Sequence, residues 1–417
     1  MKLRFFELFD YVLLISMVLL ICIGVFFIYS SGVNSSGVSI SKEYIKQIIF
    51  ACSGLILTVG LALFDYRKLK RWIPQLFILF LLALLYTMVF GRYVNGARSW
   101  IGIGDFGIQP SEFGKIIYIL FLAWYLERSQ STSPLKRFCI ALGILCVPMC
   151  LILLQPDLGT ASVYVPIFLA MCFVAGLPLR YIMAVLSIGL ITILFTVLPV
   201  WEEVIYKESI PIITIFTNDR LRFIVIGAFS LICLIGILGQ IIYKNKYYYW
   251  ITYFSGILAT SFVGSIVAGK VLKDYQIKRL IVFIDPSIDP LASGWNIIQS
   301  KIAIGSGHIF GQGFLQGTQS HYRFLPQQST DFIFSILSEE IGFIGSLFVF
   351  ALFFTILIRI IFIMKNTKNT YGFYISTGIL MMFFFHFVVN VGMVMGIMPI
   401  TGIPLLFLSY GGSSLWT

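Results

Sequence analysis

The sequence predicts an all-α polytopic membrane protein, a bundle of about twelve transmembrane helices with one large ordered extracytoplasmic loop. Three observations predict it. Hydrophobic residues make up 59% of the 417 and charged residues only 11%, with a mean hydropathy of +0.96, whereas soluble globular chains carry about 25% charge. The apolar residues form continuous runs rather than alternations, and a run of about 20 crosses the hydrocarbon as a helix with its backbone paired internally. Lys and Arg collect in every second short loop, the pattern of cytoplasmic connections. The net charge of +11 has the same source, so the basic balance points to a membrane and not to nucleic acid.

In chain order the spans fall at roughly 11–29, 47–64, 73–90, 110–126, 139–154, 159–177, 181–200, 221–243, 248–270, 331–363, 371–395 and 403–417. Lys2 and Arg4 precede the first like the charges of a signal peptide, but the apolar run is long and no small-residue cleavage site follows, so it reads as a retained span. The last rises only about 22 Å at 1.5 Å per residue and reads as a span cut short. Loops holding Arg67, Lys68, Lys70 and Arg71, then Arg128, Lys136 and Arg137, then Lys244 and Lys246, then Arg359, Lys365 and Lys368 share the N-terminal, cytoplasmic side. Only Glu7, Asp10, Asp65 and Glu127 among the acids lie there, so carboxylate chemistry should face outward. The seven cysteines sit in apolar runs without CxxC spacing and read as small core residues. Residues 271–330 hold no clear span. Rich in Gly, Ser, Gln and aromatics, they suggest an ordered outer cap that dips into the membrane surface.

Several polar groups need a reason. Asp331 follows Pro326, Gln327, Gln328, Ser329 and Thr330 at the start of the tenth span, where it is either part of an N-terminal capping cluster or a general base at the outer membrane edge. On a regular helix Ser335 and Ser338 lie within about 40° of Asp331 and Glu339 within about 80°, while Glu340 points away. The two glutamates either pair structurally or line a pathway. Glu112 and Lys115 are spaced for an i, i+3 pair, and Asp157 reads as a turn or cap residue after Pro156. His308, His321 and His386 are scattered without ligand spacing. The outer loop carries Lys273, Lys278, Arg279, Lys301 and Arg323, cations that suit an anionic headgroup such as a pyrophosphate.

Nine ordered strings go beyond composition. They are Asn95–Trp100 (NGARSW), Gln109–Glu112 (QPSE), Gln155–Thr160 (QPDLGT), Asp285–Pro290 (DPSIDP), Gln299–Gly307 (QSKIAIGSG), Gly317–Ser320 (GTQS), Thr330–Phe334 (TDFIF), Glu339–Gly342 (EEIG) and Ser409–Ser413 (SYGGS). In these the chain resembles the shape, elongation, division and sporulation (SEDS) family over nearly its whole length, and QSKIAIGSG with GTQS resembles the elongation branch more than the division branch. The resemblance implies a peptidoglycan glycosyltransferase of the bacterial cytoplasmic membrane. Such an enzyme polymerises lipid II at the outer face, beside a class B penicillin-binding protein as transpeptidase. It places the family's essential aspartate on Asp331. Glu112, Lys115, Lys278, Arg279, Gln299, Lys301, Arg323, Ser338 and Glu339 are the candidate contacts to the lipid-linked substrate. A divalent cation such as Mg²⁺ or Mn²⁺ would help to stabilise the leaving pyrophosphate.

Three departures stand out. Gln327 occupies a position where the family commonly has Glu, and Ser329 one where it often has His, so one charge and one titrating group are missing just before Asp331. The chain ends soon after SYGGS. Against the family's usual ten spans, two more are counted in about 201–247, and an inserted pair leaves the outer loop and Asp331 on the same side. Rival functions are a flippase for the same lipid-linked precursor, or a scaffold that only recruits the transpeptidase. A flippase needs polar groups through the whole depth, whereas here they concentrate at the outer end.

Overall fold

The computed structural model describes residues 9–94, 97–103, 106–208, 210–289 and 293–417. Lys2, Arg4, Glu7, Asn95, Gly96 and Pro290 of the readings above lie outside them. In chain order the principal helices are α1 (Tyr11–Ser31), α2 (Glu43–Ala62), α3 (Ile73–Phe90), α4 (Pro110–Arg128), α5 (Pro134–Leu154), α6 (Leu158–Val174), α7 (Leu179–Trp201), α8 (Asp219–Tyr243), α9 (Lys246–Val271), α10 (Asp274–Val282), α11 (Ser293–Ser306), α12 (Ile333–Asn366) and α13 (Thr370–Val394). Between α3 and α4 lies a small antiparallel sheet that the apolar pattern does not announce: β1 (Arg92–Val94), β2 (Ala97–Ile103) and β3 (Phe106–Ile108), in the order β1-β2-β3.

Local chemistry sets the helix ends. Asp10 accepts from the Leu13 amide at 3.1 Å to start α1, Asp157 caps α6, and Asn218, Asn245 and Asn369 cap α8, α9 and α13. Pro110 and Pro134 occupy the first positions of α4 and α5, where the missing N–H costs nothing.

The chain forms two compact units, residues 1–175 with 291–417, and residues 176–290. In the first, α1–α2, α3–α4 and α5–α6 pack as antiparallel neighbours, so the basic loops share one end with the Arg359–Asp10 ion pair (2.8 Å) and the Lys70–Glu127 pair. In the second, α7, α8 and α9 pack as three helices. Phe195, Phe216, Phe229 and Phe262 stack together, and Gly236 and Gly239 of α8 admit Thr252 and Tyr248 of α9. α10 lays Ile277 and Ile281 on Val197, Trp201 and Ile205.

Among the described residues nine helices are long and apolar enough to cross a membrane. α6 is apolar but has only 17 residues, and α4 carries Glu112, Lys115, Glu127 and Arg128. The twelfth span expected at 403–417 is corrected: residues 401–405 have no regular structure, 406–410 are turns and bends, and only Gly412–Trp416 is helical. Pro404 and left-handed Gly402 and Phe407 (φ 70° and 68°) interrupt the helix that the apolar content suggests. The interval 201–247, read as holding an extra pair, contains one long helix, α8, preceded by a π turn at Glu202–Tyr206 and a short turn at Thr214–Thr217. The interval 271–330 contains α10, α11 and a short helix at Thr318–His321, and the boundary between units falls inside it.

Candidate active site

Asp331 lies in a turn just before α12, half-buried. Its amide donates to the Gln327 carbonyl at 3.2 Å, with Gln327 in the left-handed region (φ 51°). The N-cap of α12 is Phe332, so Asp331 sits one residue outside the capping position. A polar stripe drawn on a regular helix from Asp331 is therefore corrected twice, because α12 starts later and because it breaks at Gly342 (φ 66°, ψ −162°).

Around Asp331 the first unit brings together residues that lie far apart in sequence. Residues 396–411 run back alongside α13 without helix, and a Cβ added to Gly402 would stand 3.6 Å from Asp331 Oδ2. Irregular backbone is tolerated at such depth only where the protein satisfies it. Here side chains do so. His386 bonds the Pro404 carbonyl at 3.0 Å, and the Asn390 amide donates to the Ile403 carbonyl at 2.8 Å and to the Asp331 carbonyl at 3.1 Å. Gln47 donates to the Ser409 carbonyl (3.2 Å) and accepts from the Gly411 amide (3.3 Å), and Ser409 Oγ accepts from the Leu405 amide at 2.9 Å. The Tyr410 amide reaches the Ser329 carbonyl at 2.8 Å. His386 stands eight residues from the C-terminal end of α13, about 12 Å along its axis, and Asn390 about 6 Å. The chain thus dips about two helical turns below that end, and Asp331 sits about one turn below it.

Behind this segment is a buried charge cluster. Lys115 Nζ donates to Glu112 Oε2 at 2.8 Å and lies 3.1 Å from His386 Nε2. The Pro404 carbonyl can only accept, so Nδ1 of His386 carries the proton, and neutral Nε2 accepts from Lys115. Asp157 joins two of the motifs, accepting from Gln109 Nε2 at 2.6 Å and from the Thr160 hydroxyl and amide. Burial pushes its carboxyl up, while the bonds from Thr160 act the other way.

The other sequence-selected residues divide. Lys301, on α11, lies against the re-entrant segment, its Nζ 2.7 Å from where a Cβ on Gly396 would be, and Gln299 is buried on the same helix. Arg323 is exposed in a left-handed turn after the Thr318–His321 helix. Ser338 and Glu339 spend their polar atoms inside the fold: Ser338 Oγ meets Ser346 Oγ at 3.0 Å, and Glu339 accepts from the Gln319 and Ser320 amides and the Thr318 hydroxyl. Glu340 likewise takes the Ser30 hydroxyl and the Leu315 amide. Lys278 and Arg279 belong to the second unit, Lys278 exposed on α10 and Arg279 stacked over Tyr275 at 5.5 Å. A protein-held divalent cation does not fit the donors: among the described residues no three His, Cys, Asp or Glu side chains converge, and Glu339 and Glu340 already bind amides and hydroxyls. Two surface hollows lie among the basic loops, lined by Tyr66, Arg67 and Lys368 in one and by Arg71, Trp124 and Arg128 in the other.

Sequence reasoning passed over Asn390, Gln47 and Gly402 and set His386 aside. One signal was available: His386 and Asn390, four apart in an otherwise apolar helix, share a face, and polar pairs at membrane depth ordinarily have a partner.

Fold and site together define a multi-pass membrane protein that keeps a half-buried carboxylate beside a re-entrant, polar-lined segment at one end of its helices. The chain belongs to the FtsW/RodA/SpoVE cell cycle protein family, whose model matches residues 11–219 and 210–417. It is 55% identical to the peptidoglycan glycosyltransferase RodA of Treponema pallidum over 417 residues, all of this chain and 96% of that protein. It is 32% identical to the peptidoglycan glycosyltransferase MrdB of Escherichia coli, over 87% of this chain and 79% of that one. Two solved structures share the fold. One is a chain of a peptidoglycan synthase complex that coordinates polymerization and crosslinking (TM-score 0.65, 24% identity, 98% of this chain and 94% of that one). The other is RodA of Thermus thermophilus (TM-score 0.60, 21% identity, 98% and 92%).

Proposed function

We propose that this protein is a peptidoglycan glycosyltransferase that polymerises lipid II at the outer face of the cytoplasmic membrane, with Asp331 as general base. The observation that carries the reading is full-length 55% identity to a peptidoglycan glycosyltransferase, joined to a half-buried Asp331 at the mouth of the re-entrant segment. The acids near the opposite, basic end are engaged in surface ion pairs or caps, as Asp10, Asp65 and Glu127 are, which favours chemistry at the Asp331 end.

The reaction joins two membrane-anchored sugars. A hydroxyl of the acceptor attacks the anomeric carbon of the donor, Asp331 takes the hydroxyl proton, the new glycosidic C–O bond forms, and the bond to the lipid pyrophosphate breaks. Attack opposite the leaving group inverts an α-linked donor to a β-linked product. Lys301, lying against the same segment, and Arg323, on the adjoining loop, are the cations proposed to meet the pyrophosphate. Lys278 and Arg279, on α10 of the second unit, are proposed as anion-binding cations of that unit. Glu112 and Lys115 neutralise each other, and we assign them to holding the floor of the site through His386. Gln299, Ser338 and Glu339 support its walls. A class B penicillin-binding protein is the proposed transpeptidase partner, a reading supported by the likeness to a chain of a synthase complex that couples polymerization to crosslinking.

The test is reconstitution in lipid vesicles with lipid II and the transpeptidase. The parent should form glycan strands, and Asp331→Asn should reduce strand formation by about 10²–10⁴-fold with unchanged thermal unfolding. Full polymerisation by the variant would remove the base assignment, and movement of lipid II between leaflets without polymer would favour a flippase.

A further inference from the structure

We propose that Asn390 is a positioning residue for Asp331, an amide that ties the turn carrying the carboxylate to the re-entrant segment forming the other wall of the site. This rests on the reading of Asp331 as the base. Asn390 is fully buried, and its Nδ2 serves two carbonyls from different parts of the chain, Ile403 at 2.8 Å and Asp331 at 3.1 Å. An amide nitrogen has two hydrogens, and both are used. The other polar atom, Oδ1, is buried with no hydrogen-bond partner among the described residues. The side chain is therefore oriented by what it donates, not by what it accepts. Only a side chain with two N–H bonds on one atom can hold both carbonyls from this position.

The neighbouring turn of α13 works in parallel. His386, four residues earlier on the same face, takes the carbonyl of Pro404, so an i, i+4 pair grips two consecutive carbonyls. Lys115 on His386 Nε2 fixes the tautomer that donates to Pro404. Of the two, only Asn390 reaches across to the Asp331 residue itself. The Asp331 amide is already held by Gln327, so Asn390 secures the carbonyl side of the same residue. With both peptide groups fixed, the carboxylate is presented beside Gly402 in one place. A displacement of about 1 Å at a reacting group costs on the order of 10²-fold in rate.

The experiment measures lipid II polymerisation with kcat and KM separated, together with the folded fraction, for the parent, Asp331→Asn, Asn390→Leu and Asn390→Asp. Asn390→Leu should lower kcat about 10- to 100-fold with KM changed less than about twofold, since the group acts on the base and not on substrate binding. Asn390→Asp keeps shape and volume but donates only when protonated, and then through a single O–H, so it restores at most one of the two bonds. Its rate per folded molecule, relative to the parent, should rise about fivefold or more between pH 8 and pH 6, the direction in which a base alone would lose activity. A kcat within twofold of the parent in Asn390→Leu, or a pH-independent ratio for Asn390→Asp, overturns the positioning role while leaving Asp331 as base if Asp331→Asn is inactive. If Asp331→Asn polymerises at the parent rate, the base reading falls and the positioning role with it.

Discussion

Two stretches of the first unit abandon helix inside the bundle, and they are held in opposite ways. At Gly342 the two halves of α12 separate, and the freed groups pair main chain to main chain with the segment before them. Gln312 and Gly313 donate to the carbonyls of Glu339 and Glu340 at 3.0 Å, while Phe343 and Ile344 donate to those of His308 and Ile309 at 2.9 and 3.1 Å. The stretch 396–411 instead relies on Gln47, His386, Asn390 and Ser409 side chains. Backbone pairing asks only that the chain come close, whereas side-chain pairing makes the conformation depend on particular functional groups. The second arrangement is the one that borders Asp331. It places the shape of the candidate site under the control of polar residues on α2 and α13, and, through Lys115, of α4.

The largest effect expected from breaking this comparison is at the backbone-paired break. A Cβ on Gly342 would lie 2.3 Å from the Gly311 nitrogen and 2.7 Å from the Ile309 carbonyl oxygen, and its φ of 66° with ψ of −162° is a conformation reserved for glycine. Neither obstacle is a flexible side chain that can give way. Gly342→Ala should destabilise the protein by about 4–5 kcal/mol, enough to cut the yield of folded protein sharply. Thermal unfolding in detergent checks it, and a shift equivalent to less than about 1 kcal/mol would show that the break can be rebuilt around a side chain.

Next in size is the charge cluster behind the side-chain-held stretch. Lys115→Met removes the cation from a buried pair and leaves Glu112 without its partner, at a cost of about 3–4 kcal/mol. Removing both charges, Lys115→Met with Glu112→Gln, should recover more than half of that loss, because much of the cost is the uncompensated carboxylate. Equal destabilisation of single and double variants in the same unfolding measurement would mean that Lys115 acts chiefly through His386 and not through Glu112.

The sequence makes most of the helices legible, because a run of about 20 apolar residues has one solution in a bilayer. It misleads at 403–417, where Leu405, Leu406 and Leu408 are as apolar as any span but are buried in protein without forming one. Hydropathy reports only that a residue avoids water, so a re-entrant segment and a short span read alike until their hydrogen-bond partners are known. The break at Gly342 was hidden for a related reason: one glycine in an apolar run is common, and only the arrival of residues 307–313 makes it a break. At the site the motifs marked Asp331, but Asn390, Gln47 and Gly402 act through backbone groups some 60 to several hundred positions away, and such contacts leave no spacing to read.

The smallest effect sharpens the comparison most. Gln47 is fully buried on α2 and pairs with the backbone at 409–411 as a neighbouring strand would, donating to one carbonyl and accepting from one amide. Gln47→Leu keeps the volume but leaves the Ser409 carbonyl and the Gly411 amide without that partner, which should cost about 1–3 kcal/mol in unfolding. These bonds hold the far end of the re-entrant stretch, beyond the residues that touch Asp331. The rate of lipid II polymerisation per folded molecule should therefore change less than about threefold, far less than for Asn390→Leu. If Gln47→Leu instead lowers the rate as much as Asn390→Leu does, residues 396–411 move as one rigid piece, and control of the site is spread along the whole stretch instead of concentrated at α13.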